Sequence, residues 1–121
     1  MEMEKDQFKS EFSARLVNFS LEIIKLCRKI KKDNGLMLIA DQLIRSGCSI
    51  GANVIEAKCS RSKKEYARYF SIALNSANET IYWLILVENS NRELSVFCKE
   101  LRTGAQEIAR ILASSLITMK K

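Results

Sequence analysis

The sequence predicts an all-α protein that folds as one up-down-up-down antiparallel four-helix bundle over residues 1–121. Apolar residues recur at steps of three and four along most of the chain, which is the spacing of one helix face. The 121 residues include no proline and only four glycines, a composition that favours long helices over strands and tight turns. A chain of this length is typical of one domain. Four helices of similar length joined by short loops pack as antiparallel neighbours.

The first helix is predicted at about residues 6–32 from one apolar stripe. It ends in Lys31 and Lys32, whose positive charges suit a helix C-terminus, and Asn34-Gly35 then supplies a turn. The stripe consists of Phe8, Phe12, Leu16, Phe19, Ile23, Leu26 and Ile30.

The second helix is predicted at about residues 35–58, where the steps of four and three alternate strictly. Two glycines, Gly47 and Gly51, lie inside it, and each costs about 1 kcal/mol relative to alanine in a helix. We expect them to allow a neighbouring helix to approach closely. The stripe consists of Leu36, Ala40, Leu43, Gly47, Ile50, Val54 and Ala57.

The third and fourth helices are predicted at about residues 63–89 and 92–119. Ser62 and Glu65 have the Ser-x-x-Glu spacing in which a hydroxyl and a carboxylate satisfy the free amides of a helix start, and Ser90 and Glu93 repeat it. The two stripes consist of Tyr66, Phe70, Ala73, Ala77, Ile81, Leu84 and Val87, and of Leu94, Phe97, Leu101, Ala105, Ile108, Leu112 and Met119.

Two segments are apolar on more than one face, residues 36–39 and 81–87. A helix that is apolar all round needs a second partner. In the antiparallel bundle these segments lie at the same end, so their outward residues are expected to form one patch that joins copies of the chain. Thicker packing within one monomer is the alternative. The interface residues predicted are Met37, Leu38, Tyr82, Trp83 and Leu86.

The central helices carry a resemblance to a known family. Residues 42–57 read QLIRSGCSIGANVIEA, residues 61–66 read RSKKEY and residues 70–79 read FSIALNSANE. This pattern resembles the bacterial four-helix-bundle proteins encoded by intervening sequences in 23S ribosomal RNA genes. The chain departs from the family pattern at Gly51, where proline is usual, at Ala57, where glycine is usual, and at Asn34-Gly35, where Phe-Pro is usual.

The resemblance implies a non-enzymatic bundle that assembles as a ring, typically a homopentamer. A related branch comprises the accessory proteins of diversity-generating retroelements, which bind nucleic acid and a reverse transcriptase. Both branches imply a function that involves RNA, and neither implies a catalytic motif in this chain.

A polar row follows one face of the second helix, where Ser49, Asn53 and Glu56 recur at helical spacing. We interpret it as a structural hydrogen-bonded network that ties the second helix to the start of the third, with Arg61 paired to Glu56. A row of ligand or RNA contacts is the alternative. The network residues predicted are Ser49, Asn53, Glu56, Arg61, Ser62 and Glu65.

The composition argues against most catalytic chemistry. Histidine is absent, which removes the usual proton shuttle and the usual zinc ligand. Glu79 and Glu88 lack the Glu-x-x-His partners of a carboxylate metal site, so we expect no metal, no cofactor and no enzyme activity. Four widely spaced cysteines are interpreted as reduced core thiols. With no signal-peptide pattern and no apolar run long enough to span a membrane, the protein is expected in the cytoplasm.

The charge balance favours a polyanionic partner. Twenty Lys and Arg against 14 Asp and Glu give a net charge of +6, and the cations form two clusters expected at opposite ends of the bundle, with Lys120 and Lys121 joining the second. A solvated helix end stabilised by its dipole is the alternative for each. The nucleic-acid-binding residues predicted are Lys25, Arg28, Lys29, Lys31 and Lys32 in the first cluster, and Lys58, Arg61, Lys63, Lys64 and Arg68 in the second.

Together these features predict a homo-oligomeric bundle that binds RNA or other nucleic acid through basic surfaces with little sequence preference. The alternative is a protein-binding scaffold for a reverse transcriptase or another RNA-associated partner.

Overall fold

The computed structural model describes the backbone of residues 2–30 and 34–120 and the side chains of residues 7–30 and 35–120. Four helices account for most of this part of the chain: α1 (Glu2–Ile30), α2 (Met37–Lys58), α3 (Lys63–Ser90) and α4 (Ser95–Met119). Two single 3₁₀ turns, Asn34–Leu36 and Arg92–Leu94, precede α2 and α4, and the described residues contain no strand. The all-α four-helix bundle predicted from the sequence is confirmed.

The helix bounds differ from the predicted ones where a 3₁₀ turn takes the first residues of a helix. Asn91 caps the turn before α4, because its side-chain oxygen accepts hydrogen bonds from the backbone N–H groups of Glu93 at 3.0 Å and Leu94 at 3.3 Å. As a result α4 begins at Ser95, and α2 begins at Met37 after its own 3₁₀ turn. The predicted end of α1 at residue 32 lies outside the described residues.

The start of α3 is capped by its own sequence. The hydroxyl of Ser62 accepts a hydrogen bond from the backbone N–H of Glu65 at 3.1 Å, so that α3 begins at Lys63 as predicted. This cap places a helix N-terminus directly beside the α2–α3 turn.

The four stripes meet in one core. Each helix packs on its sequence neighbours, and α1 contacts α4 over a smaller surface than the other neighbouring pairs. Phe8 and Met119 are exceptions to the predicted core, because they line an open groove between the start of α1 and the end of α4. The fully buried side chains at the centre include Ile23, Leu26, Leu43, Ile50, Leu84, Ile108 and Leu112.

Gly47 sets the distance between α1 and α2. A Cβ atom added there would lie 2.9 Å from Cγ2 of Ile23, a side chain that is fully buried. The expected close approach therefore occurs at Gly47. At Gly51 the nearest atom to an added Cβ is Cβ of Leu16 at 3.5 Å, an ordinary contact, so packing does not require glycine there.

None of the described helices combines the length and apolarity that crossing a bilayer needs.

Candidate nucleic-acid interface

The α2–α3 turn and the end of α4 line an open cavity of about 740 Å³ at one end of the bundle. We call it the basic cavity. It is lined by five cations, four serine or threonine side chains and five largely apolar residues. Four of the last group, Ala57, Ala67, Leu116 and Tyr66, are buried or half-buried and form the floor of the cavity. The lining residues are Lys58, Arg61, Lys63, Lys64 and Lys120, then Ser60, Ser62, Ser71 and Thr118, then Ala57, Tyr66, Ala67, Leu116 and Met119.

The described lining of this cavity carries positive charge and no acid. No Asp or Glu is among the described side chains that line it. Arg61, Lys63, Lys64 and Lys120 are exposed, and within the described part of the chain none of them belongs to an ion pair. The N-terminus of α3 adds the positive end of its helix dipole. These features together make the cavity an attractive place for an anion.

Lys58 is held in place by contacts across the bundle. Its amine donates a hydrogen bond to the hydroxyl of Ser13 and lies 3.5 Å from the carbonyl oxygen of Lys9, both on α1. Arg68, the fifth member of the predicted second cluster, does not line the cavity. Its guanidinium lies over the ring of Tyr69 at 4.6 Å.

The aromatic ring of Tyr66 belongs to the cavity floor. It stacks on Phe70 with 4.8 Å between ring centroids, and Phe70 is a core residue, so the ring is fixed to the bundle. Burial raises the pKa of the Tyr66 phenol. A phenol is protonated at neutral pH even at its ordinary pKa, and burial extends that range upward, so the group keeps an O–H donor.

The first cluster has different surroundings. Lys25 lies 3.8 Å from Glu22. The amine of Lys29 lies 5.2 Å from the centre of the Phe97 ring, in a shallow pocket that Glu22, Glu93 and Glu100 also line.

Acids therefore lie beside two cations of the first cluster. Glu22 of the same helix lies beside Lys25, and folding brings Glu93 and Glu100 into the pocket of Lys29. Arg28 is exposed, and Lys31 and Lys32 lie outside the described residues. The described members of the two clusters, which are alike in sequence, therefore differ in their surroundings: acids line the pocket of Lys29, and no described acid lines the basic cavity.

The predicted self-association residues lie towards the end of the bundle that is opposite to the basic cavity. Ser46 bonds to Thr80 and Ser49 bonds to Ser76, so α2 and α3 run antiparallel with the start of α2 level with the end of α3. Leu38 is 81% exposed. We call this surface the apolar patch, consisting of Met37, Leu38, Tyr82, Trp83 and Leu86; the first three are exposed, and Trp83 and Leu86 are half-buried.

A polar cluster adjoins the apolar patch. The indole N–H of Trp83 donates to Oε2 of Glu79 at 2.9 Å, and the guanidinium of Arg45 bonds to the same oxygen. Arg45 also donates to the side-chain oxygen of Gln42 at 2.9 Å. Tryptophan, tyrosine and arginine are the residues most often found at the energetic centres of protein interfaces.

A second apolar surface, on α1 and α2, was not predicted. Val17, Leu21 and Ile55 are each more than half exposed and line a cavity of about 180 Å³. The sequence does carry a signal for it, because Val17 and Leu21 form a four-residue step one position beyond the core stripe at Leu16.

The polar row on α2 contacts α3 through small hydroxyls. The Ser76 hydroxyl donates to the Ser49 hydroxyl at 3.0 Å, and the Asn53 amide donates to the same oxygen at 2.9 Å. One turn away the buried Thr80 hydroxyl donates to the Ser46 hydroxyl at 2.9 Å. Sequence reasoning missed Ser46, Ser76 and Thr80, which supply the contacts across the helix pair.

The charged half of the predicted network does not form. Glu56 and Arg61 are both exposed, and the ion pairs among the described residues do not include them. Arg61 follows the end of α2 and lines the basic cavity, so it belongs to the candidate anion site. Ser62 and Glu65 act in the cap of α3 and not in the α2–α3 network.

The fold and its basic end define a small four-helix-bundle protein. The chain belongs to the family of 23S rRNA-intervening sequence proteins, whose family model matches residues 9–114. The family resemblance noted in the sequence is therefore confirmed.

A solved structure supports the fold assignment. The chain is similar to a crystal structure of a protein of unknown function from the S23 ribosomal protein family of Bacteroides thetaiotaomicron. The two share 28% sequence identity with a TM-score of 0.81 over 87% of this chain and 97% of that chain. Comparison with curated proteins gives no match.

Proposed function

We propose that this protein binds nucleic acid, RNA in particular, through the basic cavity, and that it catalyses no reaction. The observation that carries the proposal is the set of five cations around one cavity that no described acid lines. Lysine and arginine that neutralise phosphates release condensed counterions, which gives affinity without sequence reading. The family description, which refers to 23S rRNA, favours RNA among the polyanions.

We further propose that the protein acts as a homo-oligomer in the cytoplasm, with five subunits as the resemblance implies. The exposed Leu38 and Tyr82 beside the Arg45, Glu79 and Trp83 cluster support self-association through the apolar patch. Repeating the basic cavity on each subunit would let several cavities contact one RNA, which raises the overall affinity.

The test is RNA binding measured by fluorescence anisotropy across a salt series of about 50 to 200 mM. A triple variant, Arg61→Gln with Lys63→Gln and Lys64→Gln, is compared with a matched control, Lys25→Gln with Arg28→Gln and Lys29→Gln. The first should lose most of the affinity and should flatten the slope of log K against log salt by about 2 to 3 units.

The control variant removes the same number of positive charges, so the comparison separates the effect of their position from the effect of net charge. We expect it to weaken binding less, because Lys25 and Lys29 lie beside carboxylates. Affinity that is flat in salt, or an equal loss in both triple variants, would contradict the proposed site.

The absence of catalysis is tested on the same RNA. End-labelled RNA incubated with the protein, with and without divalent cations, should remain full length. Cleavage above the level of a protein-free control would show an enzyme.

A protein-binding scaffold is the second candidate function, and the apolar cavity beside Val17, Leu21 and Ile55 favours it. The partner in this case is a reverse transcriptase or another RNA-associated protein, as the retroelement branch of the resemblance implies. Co-purification with such a partner that survives nuclease digestion would support a direct protein contact. Loss of the partner on digestion would leave RNA as the link between the two.

A further inference from the structure

The basic cavity has two chemically different parts. The exposed cations Arg61, Lys63 and Lys64 form its rim, whereas the buried or half-buried alanines, Leu116 and the ring of Tyr66 form its floor. A phosphate backbone that passes over the surface needs the cations alone. The recess and its aromatic floor call for a further explanation.

The volume of about 740 Å³ falls in the range of sites that hold small molecules, about 300–1,000 Å³. A base inside a duplex is stacked and paired and cannot enter such a recess, but an unpaired base can be displaced into one. Aromatic side chains stack on unpaired bases regardless of base identity.

We propose that the basic cavity binds one phosphorylated nucleoside, with its phosphate among the rim cations and its base against the Tyr66 side of the floor. This inference rests on the proposed function and narrows it, because the nucleic acid recognised is then one with an unpaired nucleotide. The same chemistry can be supplied by a free mononucleotide or by a nucleotide within a strand.

The local structure suits each part of this ligand. The first turn of α3, which carries Lys63 and Lys64, directs the positive end of the helix dipole to the rim. The Ser62 hydroxyl accepts from the Glu65 N–H and still has a proton to donate. The Tyr66 ring is held by its stacking on Phe70, so little conformational entropy is lost when a base packs on it.

The first experiment is isothermal titration calorimetry of the full chain with adenosine 5′-monophosphate, adenosine or inorganic phosphate. The nucleotide should bind with one site per chain and at least tenfold more tightly than either fragment, because only the nucleotide engages both rim and floor. Binding no tighter than that of inorganic phosphate would overturn the inference.

The second experiment distinguishes the two sources of the ligand. A single-stranded oligonucleotide and a blunt-ended duplex of the same sequence compete with labelled adenosine monophosphate. The inference expects the single strand to displace the label at much lower concentration than the duplex, whereas a site for free mononucleotides would leave the label in place with both. Polyglutamate as effective as the single strand would reveal a site for any polyanion, an acidic peptide included, and would overturn the inference.

Variants separate the floor from the rim. Tyr66→Leu should weaken nucleotide binding about tenfold while leaving duplex binding unchanged, and Lys63→Gln with Lys64→Gln should weaken both. Phe97→Leu, a half-buried aromatic residue on α4 outside both the basic cavity and the apolar patch, is the matched control and should change neither. Thermal unfolding checks that Tyr66→Leu still folds. If it does not, Ala67→Phe replaces it, because the larger side chain fills the floor of the cavity and should weaken nucleotide binding in the same way.

The inference and the proposed function fail in different ways. The nucleotide site is wrong, and RNA binding stands, if RNA binding depends on salt but two other results are negative. In the first the single strand and the duplex displace the label equally well, and in the second Tyr66→Leu binds the nucleotide as tightly as the unmodified protein. If the unmodified protein binds no nucleic acid at low salt, the proposed function itself is wrong.

Discussion

At Gly47 and Gly51, two glycines about one helical turn apart in α2, the same added methyl group should have opposite effects. Gly51→Ala should raise the free energy of unfolding by about 0.5–1 kcal/mol, because alanine favours the helix and its Cβ meets only ordinary contacts. Gly47→Ala should lower it by about 1–2 kcal/mol, because the buried Ile23 cannot move away. Urea unfolding with an unchanged m value measures both.

The two variants control for each other, since the substitution and the helix are the same. Equal stabilisation by both would show that Ile23 relaxes freely and that α1 and α2 do not depend on close approach at Gly47.

Cys98 should make the protein lose stability in alkaline solution. Burial, with the nearby Glu88 carboxylate, raises the pKa of the Cys98 thiol from 9.0 to about 11. The folded state therefore holds this proton more tightly than the unfolded state. The contribution of this proton to the free energy of unfolding is complete below about pH 9 and is lost as the pH rises towards 11. Over that range the free energy of unfolding falls by no more than about 1.4 kcal/mol per pH unit.

The measurement is urea unfolding at pH values from neutral to alkaline for the natural chain and for Cys98→Ala. The difference in unfolding free energy between the two should shrink as the pH rises, since alanine has no proton to lose. A pH-independent difference would show that Cys98 does not titrate differently in the folded state.

Single residues were predictable where their role depends on their sequence neighbours. Ser62 caps α3 through Glu65, three residues away, and that pattern is visible in the sequence. The surroundings of Lys29 were not predictable, because Glu93 and Glu100 are more than sixty positions away in the sequence. Cys59, interpreted as a core thiol, is exposed because it lies where α2 ends.

At the scale of helices, the α2–α3 pair depends on buried hydroxyls as well as apolar side chains. Thr80 and Ser46 are fully buried, and the Thr80 hydroxyl donates to Ser46 while it also lies 2.7 Å from the Ser76 carbonyl oxygen. Thr80→Val should lower the free energy of unfolding by about 1–2 kcal/mol, because the Ser46 hydroxyl loses its partner on α3.

A double-mutant cycle measures the coupling between the two helices. Thr80→Val combined with Ser46→Ala should be less destabilising than the sum of the single variants, since no polar group is then left without its partner. Additive losses would show that the two hydroxyls act independently. Thr103→Val, an exposed threonine on α4, is the control and should change stability little.

Apolar periodicity located the helices but could not identify the polar side chains that join them. Ser46, Ser76 and Thr80 each occur in helix-compatible sequence, and nothing local shows that they face one another. The same limit applies to the start of α4, where an Asn91 cap and a 3₁₀ turn replace the expected first turn of the helix.

At the scale of the whole molecule, the two ends of the bundle have different chemistry. The basic cavity lies at the α2–α3 turn and the apolar patch at the start of α2. Leu38 of the patch and Lys58 of the cavity lie near opposite ends of α2, whose 22 residues span about 33 Å. The proposed self-association at one end would therefore leave the proposed anion site of each copy accessible at the other.

This separation predicts that self-association and the single-site affinity can be changed independently. Leu38→Gln with Tyr82→Ser removes two exposed apolar side chains of the patch without changing the net charge. The variant should sediment as a monomer and unfold like the natural chain. Its RNA binding should be at least tenfold weaker, because avidity from several cavities on one RNA is lost. Adenosine monophosphate binding per chain should be unchanged, because the basic cavity is intact.

Val96→Gln is the control, since Val96 is an exposed apolar residue on α4 outside the patch; it should leave both sedimentation and RNA binding unaltered.

Three outcomes would contradict collective binding through the apolar patch. A natural chain that sediments as a monomer at micromolar concentration would exclude collective binding. A double variant that stays associated would move the interface to another surface, with the α1–α2 face at Val17 and Leu21 as the next candidate. A monomeric variant with unchanged RNA affinity would mean that one cavity is sufficient for binding.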